Sequence, residues 1–197
     1  MPEASNGRLV VISGPSGVGK TSVMREVYRT SRVPLIRSVS ATTRPPRPDE
    51  TDGLDYHFLA NGEFDRRRKR GDFIECFEVF GQTYWYGTLW SEVTTGLNAG
   101  KWVVLEIDVQ GASAVVQRFP NAITIFLRPS SHEELERRLR GRGTETEQAI
   151  ERRLAQADHE LAQASHYQYQ VINDDMNLAV RDIREILVIE WERTRHD

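Results

Sequence analysis

Leu9-Val10-Val11-Ile12-Ser13-Gly14-Pro15-Ser16-Gly17-Val18-Gly19-Lys20-Thr21 is the stretch on which the reading of the whole chain turns. It opens with a short apolar, β-branched run. It continues as G-x-x-x-x-G-K-[ST], with Gly14, Gly19, Lys20 and Thr21 at the fixed places. The spacing has a mechanical cause: glycines let backbone N–H groups wrap a phosphate chain, which needs room and unusual φ values. Lys20 then reaches the β- and γ-phosphates of a nucleoside triphosphate, and the Thr21 hydroxyl can ligate Mg²⁺. Pro15, Ser16, Gly17 and Val18 complete the cradle. Ser22–Thr30 (SVMREVYRT) supplies a helix that starts with Ser22 and whose N-terminal partial charge adds to the anion site. A chance glycine-rich turn is the competing reading, and the strand-then-helix context argues against it.

Working outward, short apolar runs recur with helical patterns between them. Leu9–Ser13, Leu35–Ser40, Trp102–Asp108, Ala122–Leu127 and Tyr169–Asn173 read as strands. Thr21–Thr30, Ser91–Ala99, Ala112–Gln117, Ser131–Arg140, Glu145–Ala164 and Leu178–Arg193 read as helices. Apolar strands separated by helices imply a parallel sheet covered on both faces, an α/β fold. Two segments break the alternation. Ala41–Thr88 carries the Pro-rich loop TTRPPRPDE, a TDG turn and the half-alternating run Phe73–Phe80, which reads as a half-buried antiparallel strand in a β-rich insertion. Arg128–Arg153 is dense in arginine and in helix formers around Gly141-Arg142-Gly143, a composition suited to a lid that closes over anions.

The chain's 197 residues suit one domain with inserted parts, and its 39% apolar and 28% charged residues are those of an ordinary globular protein. A net charge of −3 makes the molecule as a whole no ligand for nucleic acid. The single cysteine, Cys76, excludes an internal disulfide and is expected to be a small buried apolar residue in a reducing compartment. MPEASNGR before the first strand lacks the apolar core of a secretory signal, and no run approaches the roughly 18 apolar residues of a membrane span. A cytoplasmic location without membrane contact is expected. No residue stands out as an interface anchor, so both a monomer and a homodimer fit.

Glu106 and Asp108 close the strand that begins at Trp102, and residues two apart on a strand share a face. The carboxyl edge of an open parallel sheet is where ligands bind, so Asp108 is a candidate to hold Mg²⁺ directly or through water. Arg44 and Arg47 sit in a loop stiffened by Pro45, Pro46 and Pro48, which lowers the cost of presenting two guanidinium forks to a phosphate. Arg138, Arg142 and Arg153 populate the lid, with a solvated helix surface as the competing reading. Arg66–Arg70 is expected to be only a solvated basic face, because it follows Glu63 and Asp65 and lacks interleaved aromatics. The 5 histidines form no metal-ligand pair of H-E-x-x-H type.

SGPSGVGKT, SVSATTRPPR, GLDYHF, FIE, YGT, EIDVQG, RLRGRGTETE and VINDD, in this order from about Arg8 to Arg193, resemble guanylate kinases, P-loop nucleoside monophosphate kinases acting on GMP. The resemblance implies one domain in three parts: a core over about 8–38, 91–127 and 157–197, a GMP-binding insertion over about 39–90, and a helical lid over about 128–156. It implies ATP as phosphoryl donor, Mg²⁺, and GMP or dGMP as acceptor. By it, Arg44, Arg47, Tyr56 and Tyr86 hold the acceptor phosphate, and Ser40, Glu75 and Thr88 read guanine. Lys20, Arg142 and Arg153 attend the transferring phosphate, and Arg138 and Asn173 lie on the ATP side. The carboxylate of Glu75 suits guanine, whose N1–H and N2–H₂ are donors where adenine offers an acceptor. The chain departs from the family pattern in a longer connection between Phe80 and Tyr86, and in Glu106 where aspartate is usual. Glu106 is expected either at the base edge or at an Mg²⁺-bound water. The rival reading, a catalytically silent phosphopeptide-binding module of the same fold, is distinguished by its degraded P-loop.

Overall fold

The computed structural model describes residues 7–78, 84–141 and 146–195. In chain order the elements are β1 (Leu9–Ser13), α1 (Lys20–Thr30), β2 (Leu35–Arg37), β3 (Ala41–Thr42), β4 (His57–Phe58), α2 (Asn61–Arg70), β5 (Phe73–Glu78), β6 (Trp85–Leu89), α3 (Trp90–Asn98), β7 (Trp102–Glu106), α4 (Val109–Arg118), β8 (Ile123–Arg128), α5 (His132–Arg140), α6 (Glu147–Leu161), β9 (Tyr169–Ile172) and α7 (Met176–Thr194). A parallel sheet of order β2-β7-β1-β8-β9, flanked by helices, carries the expected α/β architecture, and a smaller mixed sheet runs β4-β3-β6-β5. No helix among the described residues is long and apolar enough to cross a membrane.

The chain divides into two compact units. The first takes the residues up to Val10, Ile36–Leu105 and Gln110–Ala122. Its mixed sheet pairs β3 with β4 in parallel, and β6 antiparallel with both β3 and β5. Ala41, Phe64, Phe73 and Leu89 form its apolar centre, with Phe64 stacked on Phe73 at 4.5 Å between ring centroids. The strand expected over Phe73–Phe80 is described to Glu78, and Val79 and Phe80 lie outside the described residues. The pattern of Trp85–Leu89 carries no strong strand signal, yet it is β6, the central partner of β5. Gly87 makes that pairing possible, since a Cβ there would come within 2.8 Å of the Cys76 side chain and the Glu75 carbonyl. Cys76 is half-buried rather than buried, because it lies at the margin of the Phe64–Phe73 cluster; burial, first of all, pushes its thiol pKa up. The basic run of α2 is mostly exposed and ion-paired locally, Arg66 and Arg67 with Glu63, Arg68 and Lys69 with Asp65, Arg70 with Asp72; Arg67 is half-buried, and the Arg68 guanidinium also lies 4.5 Å from the Trp85 ring centroid.

The second unit takes Val11–Leu35, Glu106–Val109 and the chain from Ile123 onward. β8 runs parallel to β9, and α7 packs on α1 with Ala179, Val180, Ile183 and Leu187 buried at helical spacing. Glu190, the polar member of that periodic face, accepts from the Tyr169 hydroxyl at 2.6 Å. Leu135 and Leu139 of α5 close on Ile150 and Ala157 of α6. The strand expected over Trp102–Asp108 ends at Glu106, because the chain turns into α4 at Val109. Glu106 and Asp108 are therefore not two positions of one strand face.

Candidate active site

The phosphate loop is built from backbone that only glycine fits. Gly14 has φ +148, and a Cβ there would lie 2.0 Å from the Leu127 carbonyl oxygen. Gly19, at φ 94, precedes α1 without a capping side chain, and the first turn of α1 holds no acid. By contrast Ser131, Thr146 and Asp175 cap α5, α6 and α7. A first turn with neither cap nor carboxylate keeps its N–H groups for an anion. Neighbouring elements converge on the loop. Asn173 Nδ2 donates to the Val18 carbonyl at 2.7 Å, Arg138 Nη1 to the same oxygen at 3.4 Å, and Arg153 Nη2 to Ser16 Oγ at 2.8 Å. Lys20 Nζ folds back on the loop and donates to the carbonyls of Gly14 and, at 3.3 Å, Pro15. Burial lowers the Lys20 pKa, opposed by the negative charges of Glu160, Glu106 and Asp108 in that order.

Those acids have different holders. Glu106 Oε1 accepts from the Tyr28 hydroxyl of α1 at 3.1 Å. The backbone entering Asp108 is held by Ser13 Oγ, which donates to the Ile107 carbonyl at 2.9 Å. Glu160 of α6 is 6% exposed, the one acid in the buried class among the described residues, and accepts from Gln156 Nε2 at 3.2 Å. Burial pushes its pKa up. Thr21 and Ser22 stand exposed on the first turn of α1.

In the first unit, Arg44 is held from several sides. Its Nη1 and Nη2 donate to Glu50 Oε2 and Oε1, both at 2.8 Å; Nη1 also donates to the Pro45 carbonyl at 2.7 Å, and Nε to the Tyr86 hydroxyl at 3.3 Å. The guanidinium lies 5.5 Å from the Tyr56 ring centroid and 5.6 Å from that of Phe58. Tyr56 meets Tyr86 edge-on at 6.0 Å, and burial raises its hydroxyl pKa. Arg47, by contrast, is 69% exposed. On the adjoining strands Thr88 Oγ1 donates to Glu75 Oε1 at 2.6 Å, in register Glu75 opposite Thr88. Ser40 precedes β3, and its carbonyl accepts from the His57 N–H.

The chain matches the guanylate kinase family model over residues 6–190. It is 54% identical to the guanylate kinase of Rhodopirellula baltica over 192 residues, covering 97% of this chain and 92% of that one. The chain belongs to the guanylate kinase family. It is also 50% identical to the guanylate kinase of Gloeobacter violaceus, over 93% of this chain and 88% of that one. The crystal structure of guanylate kinase from Anaplasma phagocytophilum superposes with a TM-score of 0.74 at 30% identity, covering 94% and 87% of the two chains. A shikimate kinase from Bacteroides thetaiotaomicron, at 19% identity and a TM-score of 0.51, shares the fold alone.

With the family in view, the residues singled out from sequence separate into two sets. Gly14–Ser22, Arg138, Arg153 and Asn173, joined by Glu106 and Asp108, gather at the phosphate loop of the second unit. Ser40, Arg44, Arg47, Tyr56, Glu75, Tyr86 and Thr88 belong to the first. Arg142 lies outside the described residues. Sequence reasoning missed two acids. Glu50 was hidden in a loop whose stiffness was credited to its prolines. Glu160 carried a legible signal: it falls three residues after Ala157 and ten after Ile150, on the buried face of α6.

Proposed function

We propose that this protein is an ATP-dependent GMP kinase, transferring the γ-phosphoryl group of ATP to the phosphate of GMP or dGMP and releasing ADP and GDP. The observation that carries the acceptor assignment is the Thr88–Glu75 hydrogen bond, which orients a carboxylate on β5 as an acceptor for a base bearing N–H donors. An adenine edge would leave that acid facing an acceptor, so discrimination includes a rejection term. Arg44, Arg47, Tyr56 and Tyr86 bind the GMP phosphate, and Ser40 joins Thr88 and Glu75 at the base. On the donor side, the backbone of Gly14–Gly19 and the α1 N-terminus cradle ATP, with Ser22, Arg138 and Asn173 around it. Lys20, Arg142 and Arg153 neutralise charge on the transferring group. The division into core, GMP-binding insertion and lid follows the boundaries read from the sequence.

The attacking oxygen belongs to a phosphate already ionised at neutral pH, so the chain needs to position and to neutralise rather than to abstract a proton. Lys20 is released from the Gly14 and Pro15 carbonyls to the phosphates when they arrive. Among the described residues no group of His, Cys, Asp and Glu forms a metal cage by itself. The hard oxygens of Thr21 and Asp108 nevertheless suit Mg²⁺, which keeps several waters and shares phosphate oxygens. Bound there, it would offset charge on the β- and γ-phosphates; Glu106 lies beside Lys20 in the same cluster and is assigned to that side. A silent binding module has no use for the intact Gly14, Gly19, Lys20 and Thr21 set.

A coupled assay of ADP formation across GMP, AMP, CMP and UMP tests the assignment. GMP is expected to turn over at least about a hundredfold faster than the others, in line with loss of hydrogen-bonded recognition. Equal rates for AMP and GMP would refute the role of Glu75.

A further inference from the structure

Arg44 has five N–H donors in a planar fork, and four of them are committed within the protein: Nε to Tyr86, both of Nη1 to Pro45 and Glu50, and one of Nη2 to Glu50. One Nη2–H is left. The partner that commits most of them is Glu50, whose two oxygens pair end-on with Nη1 and Nη2, with side chains only 11% and 12% exposed. Such a bidentate pair fixes direction as well as distance. Glu50 is itself anchored: its Oε2 accepts from the Arg47 backbone N–H at 2.8 Å, and its own N–H donates to the Arg47 carbonyl at 3.1 Å. The Arg47 guanidinium is only loosely drawn in, at 3.7 Å.

We infer that Glu50 is a positioning residue for the acceptor phosphate: it locks the Arg44 fork so that one Nη2–H, together with the Tyr86 hydroxyl polarised by Arg44 Nε, meets the anion. This rests on the reading of Arg44 and Tyr86 as phosphate ligands. Because the Tyr86 oxygen accepts from Nε, its own O–H keeps its capacity to donate, and on this inference Arg44 acts partly through it. Freed from Glu50, the guanidinium would rotate about its stem, lose its bond to Tyr86 and have to be ordered again on each binding event. The prolines stiffen the backbone, but the direction of the fork is set by a carboxylate six residues away.

Steady-state kinetics of Glu50→Gln, Arg44→Ala and the double variant test this, with folding checked by circular dichroism. Glu50→Gln is expected to raise KM for GMP about tenfold while KM for ATP and kcat stay within about threefold, the pattern of lost uniform binding. Arg44→Ala is expected to raise KM for GMP at least as much, and adding Glu50→Gln to it to change KM by less than about twofold. If Arg44→Ala raises KM for GMP and Glu50→Gln does not, the positioning role is overturned while the phosphate-site reading stands. If Arg44→Ala leaves KM for GMP unchanged, the site reading falls and the inference with it. Should Glu50→Gln fail to fold, the wild-type protein decides. Its Arg44 Nε–H resonance is expected to be slow to exchange with solvent in the absence of GMP, and rapid exchange would overturn the lock.

Discussion

Lys20 is buried near three carboxylates, whose negative charges oppose the lowering of its pKa by burial. Burial alone would favour the neutral amine; Glu160, Glu106 and Asp108 oppose it. Replacing the side chain removes a buried amine and, on the proposed function, a phosphate contact. Lys20→Ala is therefore expected to lower kcat by about 10²–10³, as for loss of one preorganised donor, while thermal stability stays near that of the parent. A near-parental kcat would take Lys20 out of the mechanism. The residue scale is also where sequence reading was least complete. Glu50 and Glu160 are ordinary acids by pattern, and their roles arise from partners, Arg44 and Gln156, that only folding specifies.

At the scale of elements, the phosphate loop is fixed by what surrounds it more than by its own residues. A methyl group at Gly14 would meet the Leu127 carbonyl, part of β8, which cannot move without breaking the sheet. Gly14→Ala is expected to cost about 2–5 kcal/mol from strain and overlap together, read as a lowered urea midpoint. An unchanged midpoint would mean that the loop relaxes freely. Helix α5 supplies a second test. Arg137 and then Arg138 hold the Glu134 carboxyl pKa down to about 2. The unfolded chain has a glutamate of about 4.3, so the stabilisation is present above that pH and is lost as pH falls towards the folded value. A carbon-13 titration of the Glu134 carboxyl is expected to show its midpoint near the lower figure; a midpoint near the unfolded value would mean that the pairing is not maintained in solution. Since Arg138 also reaches the Val18 carbonyl, that pairing bears on the loop as well as on the helix.

For the whole molecule, the proposed function implies two separable ligands. Each, at about 100 times its Kd, should stabilise the fold by about 2.7 kcal/mol, which for a chain of this size is a rise in Tm of roughly 5–10 °C. Lys20→Ala is expected to diminish the shift given by ADP and to spare that given by GMP; loss of both shifts together would contradict the assignment of Lys20 to the donor side. The parallel sheet, its helices, the mixed-sheet insertion and the family were all legible in the sequence. Strand β1 and the glycine spacing announce themselves locally, and Phe73–Glu78 shows an apolar run bounded by turns. Such signals survive because backbone geometry and burial period act over neighbouring residues. Where strand β7 stops was not legible, because the turn into α4 decides it, and so the common face expected for Glu106 and Asp108 did not hold. β6 was missed for a related reason: Trp85–Leu89 is a strand because β3 and β5 flank it and Gly87 admits Cys76. The sequence by itself determined the order of the motifs and the family they belong to. Only the tertiary structure decided which way their side chains face, because direction is set by hydrogen bonds between residues far apart in the chain, as Asn173 to Val18 and Arg44 to Tyr86 illustrate.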